Sequence, residues 1–373
     1  MQSYKRRLDT KTLFGKGNHD IFSYLPAAPA HFFTNSVRGG LKAIIESLKI
    51  PPGSKVMLPA WVAEGIIDPF RKKKMEVVFY NSLPDLSPDL ENIAGLIKTE
   101  SGIRFIVIIH YFGFPQRLDE IMHLCRASGI LVLEDCVHSM FSRNEDGLLT
   151  GSTGDIAFFS LPKILPVPDG GLFLIHNPEL TYLTEKVKYR RTLAGSLLVY
   201  FHLLFLLVKS WEVKLGYSIF YRFVNLFSKG LYTTYYFILQ RSFQPQPVSE
   251  ITKKILKNID YDQLIATRRR NIEKIYHAPM PGNIDFFSRK FHPNNLLNGV
   301  PCIIRGNRKS YLRHLKTRGI ECHVYEKSWD FFPAGAGNRF APEHFLFNNL
   351  FLFPVIGELT LPPSPEGINA QAN

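Results

Sequence analysis

Apolar residues in the first half of the chain fall into short, unbroken runs, at 55–58, 77–80 and 104–110. Three more lie inside 131–177: one ends in Glu134-Asp135, one ends in Ser160, and one covers 172–175. Between the runs the spacing changes. Leu41, Ile44, Ile45 and Leu48 recur at i, i+3, i+4 and i+7, which predicts a helix over 41–48, and polar helical stretches follow at 89–97 and 117–129. Runs without polar alternation belong to strands buried on both faces. Strands alternating with helices then predict a mainly parallel sheet with helices on both sides.

Beyond 179 the character shifts. The run 197–208 is almost wholly apolar, and 217–243 interleaves aromatic residues with Lys and Arg. A membrane span takes about 20 mainly apolar residues, more than this run offers. It reads as a buried helical hairpin or an oligomer interface, with helices lying on a membrane surface as the less favoured alternative. The stretch 251–276 has the pattern of one long polar helix. A strand at 300–305, a segment ending in Leu315-Lys316-Thr317-Arg318-Gly319-Ile320 and a strand at 321–325 then predict a small α+β domain, from which His323 and Trp329 either reach a substrate or simply pack. Residues 1–30 read as a polar arm lying across a dimer partner or the small domain, and the Pro-rich end, 361–373, as a loose tail.

Composition alters this picture only through charge. Hydrophobic residues make up 45% and charged residues 21%, ordinary for a folded chain. The net charge of +13 favours phosphorylated substrates, polyanions or anionic membrane surfaces without choosing among them, and a solvated basic surface accounts for it equally well. No nucleic-acid partner is expected. The four cysteines, at 125, 136, 302 and 322, lack metal-binding spacing and are expected to be reduced, buried thiols, with no metal centre. The first twenty residues have no apolar core of signal-peptide length, so cytoplasmic residence is expected.

Ligands of open α/β sheets gather at the carboxyl ends of strands. Asp135 after one strand and Lys163 after the next are therefore placed to converge on one small molecule. A lysine amine can bond an aldehyde and an acid can partner a ring nitrogen, the pairing that suits pyridoxal phosphate. Ser36, Val37 and Arg38 open the first helix, where backbone N–H groups and the helix dipole make an anion seat, or merely a capped helix. Trp61, just past the run at 55–58, is either a ring that stacks on the cofactor or a core tryptophan.

These motifs resemble the DegT/StrS family of nucleotide-sugar aminotransferases. The family's E-D-x-x-H/Q strand end is met by Glu134-Asp135-Cys136-Val137-His138, and its G-D-I-A-x-F-S run by Gly154-Asp155-Ile156-Ala157-Phe158-Phe159-Ser160. Its Schiff-base lysine is met by Lys163, seven residues before Gly170 of the Gly170-Gly171 turn, although Ser160 lies three residues before the lysine where five is commoner. The H-x-x-G loop is met by His110-Tyr111-Phe112-Gly113. Ser36, Val37 and Arg38 fall on S-G-x-A-A-L, with valine in place of glycine. Of the G-x-N-Y-R-M-S-E loop that reaches the partner subunit's cofactor, only Ser249-Glu250 remains, with Gln244 and Gln246 as the available substitutes.

The resemblance implies an α/β fold of the fold type I pyridoxal-phosphate transferases: a large domain with a mainly parallel seven-stranded sheet flanked by helices, plus a smaller C-terminal α+β domain. On this chain that division gives an arm (1–30), a cofactor-binding domain (31–180), an aromatic-rich helical insertion (181–246) and a linker helix with the small domain (247–373). The implied reaction moves an amino group from an amino acid donor, usually glutamate, to a keto-sugar nucleotide, in polysaccharide or glycoconjugate biosynthesis, on a homodimer. Lys163, Asp135 and His138 are the implied catalytic residues. Lys163 bonds the cofactor and shuttles the proton, Asp135 keeps the ring nitrogen protonated, and His138 orients Asp135 or the ring hydroxyl. Ser36, Val37, Arg38 and Ser160 hold the phosphate and Trp61 stacks on the ring. The family's dehydratase branch replaces the lysine by histidine, so Lys163 speaks against it. From a different class, the competing expectation is a non-catalytic or membrane-surface member of a glycan-assembly complex that keeps the fold.

Overall fold

The computed structural model describes residues 2–3, 8–215, 226–227, 230–231, 233–234, 237, 244–280, 282–288, 291–317, 320–324 and 340–356. Trp329 and the tail at 361–373 lie outside these. The described strands are β1 (Gln2–Ser3), β2 (Ala30–Thr34), β3 (Lys55–Pro59), β4 (Glu76–Tyr80), β5 (Ile103–Ile109), β6 (Leu131–Asp135), β7 (Ile156–Ser160), β8 (Gly171–Ile175), β9 (Ile284–Phe286), β10 (Val300–Ile304), β11 (Ile320–Glu321) and β12 (Leu350–Phe353). The helices are α1 (Thr10–Phe14), α2 (Val37–Ser47), α3 (Glu64–Lys72), α4 (Leu90–Thr99), α5 (Asp119–Ala127), α6 (Leu161–Ile164), α7 (Leu183–Lys186), α8 (Leu193–Leu215), α9 (Glu250–Asn258), α10 (Tyr261–Tyr276), α11 (Arg308–Thr317) and α12 (Ala341–Asn349).

Seven strands form one sheet in the order β2-β8-β7-β6-β5-β3-β4. All pairs are parallel except those of β8, which runs antiparallel to both β2 and β7. The mainly parallel seven-stranded sheet expected from the sequence is thus present. Alternation sorts the side chains between its faces: Ile156, Phe158, Phe173 and Ile175 pack under α2 and α3, while Ala157, Phe159, Leu172 and Leu174 pack into the opposite cluster. Toward β5 and β3, α4 and α5 cover the sheet through Ile93, Ile121, Met122 and Cys125. Every strand from β3 to β7 ends at the same edge, so the polar residues that close these runs collect there.

The C-terminal part has a three-stranded antiparallel sheet, β12-β10-β9, with α11 beside it. Two expectations need correcting. The single helix over 251–276 is two, because Asp260 caps α10 by accepting the N–H of Gln263 at 2.9 Å and the chain bends ahead of it. Of the strand expected at 321–325, the described residues form β11 and a backbone bridge between His323 and Leu352, and Tyr325 lies outside them. The arm rests on this same chain: the Gly17 N–H donates to Asn258 Oδ1 at 2.8 Å, and Leu8, Leu13, Ile21 and Leu25 share a core with Ile255, Leu256 and Tyr261. No helix among the described residues is long and apolar enough to cross a membrane.

Candidate active site

Strand β6 carries its apolar side chains to the edge of the sheet and there turns polar. Asp135, 1% exposed, is fixed in a turn by the Val137 N–H, which donates to Oδ1 at 3.0 Å. Burial pushes its carboxyl up to about 6, against the opposing pull of the Lys163 charge, the Val137 N–H and His110. The same turn delivers His138, whose Nε2 lies 3.2 Å from Lys163 Nζ. Amine, imidazole and buried carboxyl therefore meet at the ends of β6 and β7.

Lys163 sits on the single turn of α6, which follows Ser160 directly and has Pro162 in its opening positions. That turn is clamped from both ends. The Leu161 N–H donates to the Gly170 carbonyl at 3.0 Å, and Arg268 Nη2 donates to the Ile164 carbonyl at 2.9 Å. The exit, Asp169-Gly170-Gly171, is held by Ser249, whose hydroxyl and N–H donate to the Asp169 carboxylate at 2.6 and 2.9 Å, and by the Thr252 hydroxyl. Ser249 also caps α9. The Ser-Glu remnant of the trans loop thus fastens the lysine loop of its own chain.

Register brings the third component in. Thr34, Gly171 and Ser160 lie side by side on β2, β8 and β7. A Cβ on Gly171 would stand 2.7 Å from both Ser36 C and Val37 N, so only glycine lets the N-terminus of α2 rest against this strand end. Ser36 caps that helix, its hydroxyl accepting the Gly39 N–H at 3.2 Å. Ser36, the Val37 backbone, Ser160 and Lys163 are brought to one region.

Two other predicted residues have side-chain partners of their own. Arg38 turns its guanidinium toward α3, 3.9 Å from Asp68 and against Gly65. Its backbone remains in the first turn of α2. Trp61 is buried and stacks on Tyr111 at 5.7 Å, with the Tyr111 hydroxyl donating to its carbonyl. The ring facing His138 is instead Phe112, parallel to it at 6.5 Å and 6°. Phe112 adopts φ 58°, in the left-handed region, and Gly113 beside it would strike the Leu296 carbonyl with any Cβ, at 2.6 Å. The H-x-x-G spacing was the available signal for Phe112.

Gln244 and Gln246 are engaged within the chain. Gln244 accepts from Lys42 at 2.7 Å, and Gln246 bonds Asn35 through its backbone and Thr192 through its side chain. Under Asp135, His110, Glu134 and Cys136 hold three potential metal-ligand atoms within 4.8 Å of one another. There, however, His110 Nδ1 accepts the Gln116 N–H at 2.9 Å, Nε2 faces Glu134 at 3.6 Å, and Glu134 takes the Thr153 N–H at 3.3 Å. These contacts tie His110 and Glu134 to the neighbouring backbone.

A profile of the DegT/DnrJ/EryC1/StrS aminotransferase family matches residues 23–191, the segment that carries Ser36, Phe112, Asp135, His138, Ser160 and Lys163. Over these residues the chain is similar to that family. The 4-aminotransferase of Saccharopolyspora spinosa for dTDP-4-dehydro-2,3,6-trideoxy-D-glucose is 29% identical over 160 residues, 42% of this chain and 41% of that protein. The alignments with the curated relatives span less than half of each relative's length. In fold the likeness extends across the chain. The aminotransferase TlmJ of Streptoalloteichus hindustanus superposes with a TM-score of 0.65 at 17% identity, covering 95% of this chain and 93% of that one. The E. coli GDP-4-keto-6-deoxy-D-mannose-3-dehydratase, solved with bound hydrated PLP, gives 0.62 at 16% identity, covering 95% and 96%. The fold is therefore the fold type I α/β architecture of this DegT/StrS group.

Proposed function

We propose that this DegT/StrS-type chain is a pyridoxal-phosphate-dependent aminotransferase that moves an amino group from an amino acid donor, glutamate by preference, to a keto-sugar nucleotide. The observation that carries the reading is Lys163 Nζ at 3.2 Å from His138 Nε2 beside buried Asp135. The groups fit the cofactor: an amine for its aldehyde, a carboxyl for its ring nitrogen, and a capped helix N-terminus for its phosphate. When bound, it supplies a ring that draws electrons from the donor Cα.

The protein's share is binding, orientation and proton transfer. Lys163 would hold the cofactor through Nζ and, once released, would take the proton from the donor Cα and deliver it to the cofactor carbon that had carried the lysine nitrogen. His138 Nε2 fixes the position of that amine. Asp135, a carboxylate at neutral pH even with its raised pKa, keeps a proton on the ring nitrogen. Ser36, the first turn of α2 and Ser160 seat the phosphate, and Phe112 with Trp61 behind it closes the aromatic wall. The charge of +13 suits a diphosphate-bearing substrate. The reading extends to a cytoplasmic homodimer in glycan biosynthesis, and to a cofactor-binding domain over 31–180 with a small domain beyond 247. Lys163 favours transamination over the dehydratase chemistry named for one structural neighbour.

Purified protein mixed with pyridoxal phosphate is expected to show an absorbance band near the visible edge that glutamate bleaches. Lys163→Ala is expected to lose the lysine-linked band and to slow amino transfer by at least about 10³-fold. Undiminished turnover by that variant contradicts the proposal.

A further inference from the structure

Helix α8 is apolar around its circumference, a pattern that belongs to helices covered on every side. One side is covered: Leu198, His202, Phe205 and Leu206 are buried, and the His202 ring bonds the Pro168 carbonyl at 2.6 Å. Gly195 presses against Gln246, where a Cβ would overlap the side chain. The other side is bare. Leu193, Leu197, Tyr200 and Leu204 recur at i, i+4, i+7 and i+11, forming one stripe, with Leu193 78% and Tyr200 68% exposed. Leu226 and Phe227, farther along the insertion, are exposed as well.

Charge identifies what this stripe meets. The segment that feeds the helix carries exposed Lys186, Lys188, Arg190 and Arg191, and the Arg190 N–H ties it to the Pro245 carbonyl at 2.8 Å. In a two-fold contact between copies the same patch lies on both sides, so these cations would be brought together and repel. An anionic lipid surface instead offers opposite charge beside an apolar layer. Helices that lie in that boundary combine an apolar stripe, aromatic side chains and flanking Lys or Arg. The sequence continues in this manner, with aromatics interleaved with Lys and Arg over 217–243.

We infer that the exposed face of α8, with the basic segment 186–191, docks this protein on an anionic membrane surface. The helix lies in the plane of the surface without crossing it. Because His202 bonds the carbonyl of Pro168, inside the loop that runs from Lys163 to Gly171, docking holds the candidate active site close to the lipid headgroups.

The test is flotation of the full chain with vesicles of phosphatidylcholine alone and of phosphatidylcholine with 30% phosphatidylglycerol. Binding is expected to the anionic vesicles and to weaken in high salt. The triple variant Lys186→Gln/Lys188→Gln/Arg191→Gln is expected to bind roughly fivefold less tightly per lost cation. Leu193→Ser and Leu197→Ser are each expected to lower binding about tenfold or more, with unchanged circular dichroism and thermal melting. No flotation with anionic vesicles, or flotation indifferent to both sets of substitutions, overturns the inference. So does a Leu197→Ser variant that sediments as a smaller assembly than the parent without lipid, since a second copy would then be what covers the stripe.

Discussion

Strands β6–β8 and helix α8 are both strongly apolar, and the structure treats them in opposite ways. The strands are covered on both faces, and their few polar residues appear only where the strands stop. The helix is equally apolar but covered on one side. Apolar content therefore reports how much surface needs covering; the positions of the polar residues report where chemistry can occur. Asp135, Ser160 and Lys163 interrupt the first region at one edge of the sheet. In α8 the exposed stripe has no such interruption, which marks a contact surface.

Substitutions can break this contrast. Phe173, fully buried and stacked on Phe32 at 4.8 Å, should show the largest effect on stability: Phe173→Ala is expected to cost about 3–5 kcal/mol in denaturant unfolding. A cost near zero would mean that the sheet is not packed as described. Next comes the buried acid. Its pKa, about 6 against an ordinary 3.8, means that the folded state holds the Asp135 proton more tightly than the unfolded chain does. This contribution to stability is complete below pH 4 and is lost as pH rises through 6. Asp135→Asn is accordingly expected to stabilise the cofactor-free protein at pH 8, by up to about 3 kcal/mol, and to make little difference at pH 4. Melting curves at the two pH values check this, and destabilisation at pH 8 would contradict it.

Smaller effects sharpen the comparison. Ser249→Ala removes the cap of α9 and the hydroxyl bond to Asp169, for an expected loss of about 1–2 kcal/mol. It should also weaken cofactor retention, because the lysine loop is released. On α8, Leu197→Ser is expected to leave monomer stability within about 0.5 kcal/mol. A loss comparable to that of Phe173→Ala would show that the stripe is packed against protein.

Much of the sheet was legible because its strands are continuous apolar runs and its helices keep a regular period. The bend between α9 and α10 escaped, since Asp260 reads equally as a polar helix residue and as a cap; only the bond to the Gln263 N–H decides. At the site, Lys163, Asp135 and His138 were marked by spacing and lie together. For Arg38 and Trp61 the motifs marked the position but not the side chain's partners, Asp68 for the Arg38 guanidinium and Tyr111 for the Trp61 ring. Those partners are distant in sequence and leave no local signal. The exposed stripe was equally hidden, because periodicity in a helix apolar all round does not say which side the protein covers.

The most direct measurement is borohydride reduction of the protein with bound pyridoxal phosphate, followed by peptide mapping. A single pyridoxyl adduct on Lys163, abolished by excess glutamate added beforehand, is the predicted result. An adduct on another lysine, or none, would contradict the assignment of this strand-end cluster as the cofactor site.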